Sequence, residues 1–227
     1  MAESTALIIG ASRGLGLAMA EEYLKRGWRV VATVRGQGRT ALHGLAGDRL
    51  EIETVDIADE AQIAAFGGRL SGRRFDLLFV NAGVTNDPEE RIGAVSTEEF
   101  IRVMVTNGLG PMRVIETFAG LVTPAGTIGV MSSGLGSIAD NHSGGWEVYR
   151  GSKAALNMFM RSFAVRNGLD RLTYLVVAPG WVRTEMGGAD ASLSVEESIP
   201  RVVDTITAQS RKPGLRYLDY RGQTVPW

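Results

Sequence analysis

A glycine-rich turn near the start of the chain could bind a phosphate group. Gly10, Gly14 and Gly16 form the pattern G-x-x-x-G-x-G. Between a strand and a helix, such a turn brings backbone N–H groups and the positive end of the helix to a pyrophosphate. Glycines at such a junction can also form only a tight turn, so the pattern alone leaves both interpretations open.

Two arginines indicate which nucleotide the turn would bind. A site for NAD usually has an acidic residue about 20 residues beyond the glycines, where it holds the ribose 2′-hydroxyl. This chain has Arg35 at that point, and Arg13 lies inside the glycine turn. Guanidinium groups bind a 2′-phosphate through charge-assisted hydrogen bonds, which predicts NADP(H) rather than NAD(H). Both arginines could instead be solvated surface residues.

The elements that would hold this turn alternate between strand and helix. Short apolar or β-branched runs predict buried strands, and apolar steps of three and four residues predict helices. The strands are predicted at Thr5–Ile9, Arg29–Val34, Leu50–Val55, Asp76–Val80, Thr127–Met131, Leu172–Ala178 and Tyr217–Tyr220. The helices are predicted at Leu15–Arg26, Glu60–Leu70, Thr97–Val122 with Thr97 as N-cap, Tyr149–Asn167 and Val195–Ser210. This order predicts an α/β fold: a doubly wound, Rossmann-like parallel sheet of about seven strands with helices on both faces, in a single domain over residues 1–227.

Composition excludes several classes of protein. The 227 residues are 44% hydrophobic and 22% charged, as in ordinary globular proteins. The absence of cysteine excludes a disulfide scaffold and a thiolate site, and no His, Asp and Glu cluster has ligand spacing, so no metal is predicted. The net charge of −1 gives no footprint for nucleic acid or an anionic membrane. Without a signal sequence or an apolar run of about 18 residues, the protein is expected to be cytoplasmic.

Five further motifs follow the glycine turn in order along the chain. They are Asn81-Ala82-Gly83, Asn107, Ser132-Ser133, Tyr149-Arg-Gly-Ser-Lys153 and Pro179-Gly180-Trp-Val-Arg-Thr184. With the glycine turn, this set resembles the single-domain short-chain dehydrogenase/reductase family across nearly the whole chain. The segments Met131–Trp146 and Asp219–Trp227 are similar to the subgroup of C-factor and sniffer-like carbonyl reductases.

The resemblance implies four catalytic residues. Tyr149 would protonate the substrate oxygen as hydride arrives, and Lys153, one helical turn on, would lower the pKa of Tyr149 and hold the nicotinamide ribose. Ser133, chosen over Ser132 because the family serine is commonly followed by x-x-Gly, would orient the carbonyl oxygen. Asn107 would anchor a proton relay. Plainer interpretations stay open: Tyr–Lys pairs occur by chance on helices, Ser-Ser can end a strand, and Asn107 can be a satisfied buried amide.

The resemblance also implies a cofactor-binding set. It consists of Gly10, Ser12, Arg13, Gly14, Leu15, Gly16, Arg35, Asp56, Ile57, Asn81, Ala82, Gly83, Tyr149, Lys153, Pro179, Gly180, Val182 and Thr184. Asp56 could equally cap a helix, and a Pro-Gly turn needs no ligand to explain it.

The chain departs from the family pattern at two points. Ile9 stands where the family usually has Thr before the first glycine, so a local side-chain hydrogen bond is lost. The interval from Ser133 to Tyr149 is longer than usual, which predicts a loop at the mouth of the pocket. That loop contains Asp140 and Asn141 as turn formers, His142 as a solvated residue, and Trp146.

The predicted function is reversible hydride transfer between NADP(H) and a small carbonyl or alcohol, running as reduction. The short stretch after Gly180 predicts an open pocket for small aldehydes, ketones or quinones. The alternative is a cofactor-binding signalling or regulatory protein of C-factor type with little turnover. Pairing through the helices Thr97–Val122 and Tyr149–Asn167 would give a homodimer or homotetramer, and no nucleic-acid or membrane partner is expected.

Overall fold

Seven strands form a parallel sheet, as the sequence predicts. The computed structural model describes residues 3–45 and 47–227. Its strands are β1 (Thr5–Ile9), β2 (Arg29–Val34), β3 (Leu50–Thr54), β4 (Phe75–Val80), β5 (Val122–Met131), β6 (Thr173–Ala178) and β7 (Gly214–Asp219). Their order across the sheet is β3-β2-β1-β4-β5-β6-β7, with every neighbouring pair parallel. The winding reverses between β1 and β4, which opens a crevice at the carboxyl ends of these two strands.

Helices connect the strands and cover both faces of the sheet. They are α1 (Gly14–Lys25), α2 (Glu60–Arg69), α3 (Thr97–Met104), α4 (Gly110–Phe118), α5 (Glu147–Asn167) and α6 (Val195–Gln209), with a π-helical turn at Val105–Leu109 and short 3₁₀ turns at Ala41–Gly44, Ala119–Leu121 and Gly134–Gly136. Within the described ranges, no helix has the length and apolar content that crossing a bilayer requires.

Each face of the sheet carries its own hydrophobic core. Successive strand side chains point to opposite faces, so Leu7 and Ile9 of β1 pack into one core while Ala6 and Ile8 pack into the other. Helices α2, α4 and α5 contribute to the first core, and α1 and α6 contribute to the second. Both faces are therefore covered, and the open ends of the strands are left for loops and helix ends that could form a site.

The helix predicted over Thr97–Val122 is present but is not a regular α-helix throughout. A π-helical turn at Val105–Leu109 lies between α3 and α4, the backbone stays helical through it, and Pro111 lies in the first turn of α4. Single π turns are frequent at functional sites, and this one contains Asn107, which is fully buried. The periodic apolar pattern continues through Val105–Leu109, so the pattern alone does not reveal the π-helical turn.

Three element boundaries also differ from the predictions. The N-cap of α3 is Ser96 rather than Thr97, since the Ser96 hydroxyl accepts a hydrogen bond of 3.1 Å from the Glu99 N–H. Strand β5 begins at Val122 instead of Thr127, because an irregularity in its register with β4 accommodates the stretch 123–126. The last strand covers Gly214–Asp219 instead of Tyr217–Tyr220: it is an edge strand, and its first three residues include Gly214 and Arg216, which weaken the apolar pattern.

Candidate active site

The glycine turn lies between β1 and α1 and requires glycine at two positions. Gly10 has φ +87°, and a Cβ there would lie 2.7 Å from the Cβ of Ala82. A Cβ on Gly16 would overlap the carbonyl oxygen of Gly10 and lie 2.6 Å from Asn81 Nδ2. The turn is thus folded against the end of β4, and larger residues would force it open.

Side chains from neighbouring strands hold the turn in place. The Asn81 amide donates a hydrogen bond of 2.9 Å to the Gly10 carbonyl. The Gly10 N–H donates one of 3.0 Å to Thr33 Oγ1 on β2. Thr33 therefore gives the turn a side-chain partner even though Ile9 cannot supply one. Sequence reasoning missed Thr33, which lies inside an apolar strand and carries no motif.

The two arginines differ in their surroundings. Arg13, at the N-cap position of α1, forms an ion pair with Glu185 in which both side chains are largely exposed. Arg35 follows β2, is exposed, and forms no ion pair among the described residues. Ser12 is half-buried, and the Leu15 side chain packs against the core, so Leu15 presents only its backbone to the crevice.

The four predicted catalytic residues come together at the carboxyl ends of β4 and β5. The Lys153 ammonium lies 5.6 Å from the centroid of the Tyr149 ring and donates a hydrogen bond of 2.9 Å to the carbonyl of Met131. The Ser133 hydroxyl lies close enough to the Tyr149 phenol to lower its pKa. Asn107 Oδ1 and Lys153 Nζ both lie within 3.4 Å of the position of a Cβ on Gly83.

Asn107 is also a fully satisfied buried amide. Its Oδ1 accepts a hydrogen bond of 2.8 Å from the Val84 N–H, and its Nδ2 donates to the Val84 carbonyl and to Ser152 Oγ. The interpretation of Asn107 as a satisfied buried amide therefore describes its hydrogen bonding correctly. Asn107 Oδ1 and Lys153 Nζ both lie beside Gly83.

Ser132 and Ser133 have different partners, although they are adjacent. The Ser132 hydroxyl donates to Asn157 Oδ1 at 2.7 Å and points into the protein. The Ser133 hydroxyl accepts a hydrogen bond of 3.1 Å from Leu135 N–H and lowers the pKa of Tyr149, and the Ser133 carbonyl accepts a hydrogen bond from the Tyr217 hydroxyl. Sequence reasoning missed both Asn157 and Tyr217, since each is linked to the serines only through the fold.

Burial dominates the acid–base properties of the pair on α5. It raises the pKa of Tyr149 to about 12, against the opposing effect of the hydrogen bond with Ser133. Lys153 is not among the groups that shift the pKa of Tyr149 here, so the predicted lowering of that pKa by Lys153 stays a prediction. Burial also lowers the pKa of Lys153 to about 8, because the ammonium is removed from water without a carboxylate partner.

The buried ammonium predicts that the folded protein gains stability as pH rises. The folded chain releases the Lys153 proton near pH 8, whereas the unfolded chain keeps it to about pH 10.4, so the unfolded state binds more protons in between. The free energy of unfolding of the nucleotide-free protein is expected to increase by about 1 kcal/mol from about pH 7 to about pH 9 through this residue. Chemical denaturation at several pH values measures it. Lys153→Met should abolish the rise and Lys25→Met, an exposed site, should keep it; equal profiles for both variants would contradict this.

The remaining predicted nucleotide-binding residues lie along the same edge of the sheet. Asp56 Oδ1 accepts a hydrogen bond of 2.9 Å from Ala58 N–H, whereas the cap of α2 is Asp59. Asp56 is therefore not the helix-capping residue. Ile57 is buried, with its carbonyl oxygen 2.7 Å from the position of a Cβ on Gly110.

The loop after β6 reaches the glycine turn. Gly180, with φ +85°, follows Pro179, and the buried Val182 forms an isolated bridge with Leu193. Thr184 Cγ2 lies 3.8 Å from the position of a Cβ on Gly14. The structure thus brings this loop and the glycine turn to opposite sides of one crevice.

The long loop before α5 folds as turns. Asn141 Oδ1 accepts a hydrogen bond of 3.1 Å from Gly144 N–H, and His142 is exposed, in agreement with the interpretation of these residues. The ring of Trp146 lies against that of Tyr149, with a centroid distance of 5.8 Å. Within residues 3–45 and 47–227, no group of His, Asp and Glu could hold a metal ion.

Comparisons with known proteins agree with this geometry. Residues 4–192 match the model of the short chain dehydrogenase family. The chain is 35% identical over 165 residues to C-signal of Myxococcus xanthus, which covers 72% of this chain and 99% of that protein. A solved structure from Burkholderia multivorans, described as a short-chain dehydrogenase/reductase with bound NADP, has 62% identity and a TM-score of 0.98 with full coverage of both chains. A carbonyl reductase from Pseudomonas aeruginosa PAO1 in complex with NADP has 37% identity and a TM-score of 0.92, again with full coverage of both chains.

Proposed function

This chain belongs to the short-chain dehydrogenase family, and we propose on that premise that it reduces small carbonyl compounds to alcohols with NADPH. One observation carries the proposal. The Ser133 hydroxyl lies near the Tyr149 phenol and acts on its pKa, and the Lys153 ammonium lies 5.6 Å from the centroid of the Tyr149 ring. A proton donor beside a hydroxyl that can orient an oxygen suits the conversion of a carbonyl into an alcohol.

The residues around the glycine turn fit a dinucleotide. The first turn of α1 has no side-chain cap and no acidic residue, so its N–H groups are available to a pyrophosphate. Gly10 and Gly16 allow the backbone to approach closely where a Cβ would overlap its neighbours. When bound, NADPH supplies the hydride. Cofactor binding and catalysis would then share one domain.

Each catalytic side chain has a role that its environment supports. A pKa of about 12 keeps the Tyr149 phenol protonated at neutral pH, so that it can donate a proton to the substrate oxygen. Ser133 would hold that oxygen through its hydroxyl. Lys153, with a pKa of about 8, is still mostly an ammonium at neutral pH and would hold the ribose. Asn107, on the other side of Gly83, would anchor the water that returns a proton to Lys153.

The preference for NADPH over NADH rests on the arginines and on the relatives. The structures from Burkholderia multivorans and Pseudomonas aeruginosa contain NADP. In this chain Arg35 is exposed at the end of β2. The exposed pair of Arg13 with Glu185 is of a kind that contributes only about 0–1 kcal/mol, so a 2′-phosphate could recruit Arg13 at small cost.

Arg35→Ala is expected to weaken NADPH binding by about 10- to 100-fold, since a hydrogen bond to a charged group contributes about 1.5–3 kcal/mol. NADH binding should change little, because NADH has no 2′-phosphate. Fluorescence titration of both nucleotides measures the effect. Arg74→Ala, which removes an exposed arginine before β4 at the opposite end of the sheet, is the matched control. Equal losses for NADPH and NADH in Arg35→Ala would contradict the assignment.

A screen of carbonyl compounds tests the proposed reaction. Small aldehydes, ketones and quinones are offered with NADPH, and both NADPH oxidation and the alcohol product are measured. Turnover of at least one class by the wild-type protein is expected. An NADPH-binding protein that oxidises it with no member of the panel would contradict the proposal.

The second candidate function is regulatory. The 35% identity to C-signal of Myxococcus xanthus favours a protein that binds the nucleotide and acts through a partner. The grouping of Ser133, Tyr149 and Lys153 argues for retained chemistry, since binding alone needs no proton donor. The same screen separates the two functions.

Assembly into a homodimer or homotetramer in the cytoplasm is part of the proposal. Large apolar side chains are exposed on α3, the π-helical turn and α5, which is where pairing through helices was predicted. They include Ile101, Leu109, Met158, Phe159 and Val165. Burial of these side chains against a second copy would remove them from water.

A further inference from the structure

Three consecutive residues before α5 have left-handed backbone conformations. Gly144 and Gly145 have φ +65° and +64°, and Trp146 follows with φ 52° and ψ 34°. Glycine adopts such angles freely, but a bulky side chain rarely does. A residue in this region persists only where its surroundings hold it, and such residues cluster at ligand-binding sites.

Arg150 and the segment after β4 hold this turn. The Arg150 guanidinium donates 2.9 Å hydrogen bonds to the carbonyl of Gly145 and to Ser143 Oγ, and its backbone N–H donates to the carbonyl of Trp146. The Trp146 N–H donates to the carbonyl of Pro88 at 3.1 Å. Arg150 is only 9% exposed and forms no ion pair within the described parts of the chain. The buried guanidinium therefore makes its hydrogen bonds to the turn and not to a carboxylate.

The turn places an indole beside the candidate proton donor. The rings of Trp146 and Tyr149 meet at an interplanar angle of 66° with centroids 5.8 Å apart. Trp146 is half-buried, so part of the indole remains accessible next to Tyr149. A carbonyl compound bonded to the Tyr149 hydroxyl would have the rest of its structure near this surface.

The loops around the site add further apolar surface. The carboxyl ends of parallel strands lie at one edge of the sheet, so the loops after β4, β5 and β6 share that edge. Each carries large exposed apolar side chains: Ile92, Ile138, Trp181 and Met186. The rim of the site is therefore suited to an apolar substrate.

We propose that Trp146 determines substrate specificity, forming a wall against which a flat aromatic ring packs, so that the preferred substrates are aromatic carbonyl compounds. This inference rests on the proposed function. Aromatic rings gain from offset or edge-to-face packing beyond the burial of area, whereas saturated rings of similar size do not. The hydrogen bonds of the turn position the Trp146 backbone, and packing against Tyr149 positions the indole.

The test compares an aromatic and a saturated aldehyde with the same carbon skeleton, and the change in their ratio between variants isolates the contribution of Trp146. Binding of naphthalene-2-carbaldehyde and decahydronaphthalene-2-carbaldehyde to the complex with NADP⁺ is measured by calorimetry, since no reduction occurs with the oxidised nucleotide. The wild-type protein should prefer the naphthyl compound by about fivefold, the size of one aromatic pair. Trp146→Leu should bring the ratio close to one, and Trp146→Phe should retain most of it. Trp28→Leu makes the same change at the start of β2, away from the site, and should match the wild type.

The outcomes separate this inference from the proposed function. A wild-type ratio near one, or a preference that survives in Trp146→Leu, overturns the role of Trp146. NADPH oxidation with the same two aldehydes is measured in parallel. If neither is reduced while the binding preference is present and depends on Trp146, the aromatic wall is supported and the proposed reductase activity is contradicted.

Discussion

Tyr149→Phe is expected to lower kcat for carbonyl reduction by about 10²–10⁴-fold, the range that a positioned proton donor contributes. The variant keeps the ring that packs against Trp146 and loses only the hydroxyl near Ser133. The NADPH dissociation constant should stay within about twofold of the wild-type value, because the phenol is assigned to the proton and not to nucleotide affinity. Steady-state kinetics and fluorescence titration measure the two quantities.

Tyr174→Phe provides the matched control for this variant. Tyr174 lies in β6, its ring is fully buried in the core, and its hydroxyl makes only a long contact of 3.4 Å to the carbonyl of Gly168. Removing that hydroxyl should leave kcat unchanged. If Tyr149→Phe lowers turnover by less than about tenfold, the loss is smaller than a proton donor should cause. Proton donation would then be assigned to another group.

Gly16→Ala is expected to weaken NADPH binding by more than about 100-fold. The added methyl group would overlap the Gly10 carbonyl and press on the Asn81 amide, both of which form the turn. Overpacking of a dense site commonly costs about 1–3 kcal/mol and sometimes more, and here the shift moves the N–H groups that would face the pyrophosphate. The free energy of unfolding should fall as well, because the same contacts connect β1 to β4.

Gly68→Ala is the control that distinguishes the effect at Gly16 from the general effect of replacing a glycine by alanine. Gly68 lies in α2, and a Cβ there meets no atom within 4 Å. Alanine in an exposed helix should raise the free energy of unfolding by about 0.5–1 kcal/mol and leave NADPH binding unchanged. Unaltered NADPH affinity in Gly16→Ala would show that the turn does not hold the nucleotide.

The sequence predicted the architecture well because the buried strands have a strong local signal. Runs such as Ala6–Ile9 can only be buried on both faces, and their alternation with helices leaves few topologies. The predicted motifs follow the carboxyl ends of strands. In a parallel sheet these ends lie at one edge, so the motifs are brought close together. The proximity of Gly10 to Ala82 and of Ser133 to Tyr149 follows from that arrangement.

Features set by tertiary contacts could not be predicted in this way. The π-helical turn around Asn107 depends on bonds to Val84 and Ser152, which are distant in the chain. The raised pKa of Tyr149 depends on burial, which outweighs the opposing effect of Ser133 and has no sequence signature. The left-handed Trp146 likewise depends on the side chain of Arg150, because nothing in the order Gly-Gly-Trp specifies it.

Transfer of a labelled hydride tests the central claim most directly. NADPH carrying deuterium at the transferred position of the nicotinamide is incubated with the protein and the carbonyl panel, and the products are analysed by mass spectrometry. We predict an alcohol with one deuterium on the carbinol carbon, formed by the wild-type protein and far more slowly by Tyr149→Phe. Binding of the labelled nucleotide with no deuterium in any product would contradict the assignment of this site to carbonyl reduction.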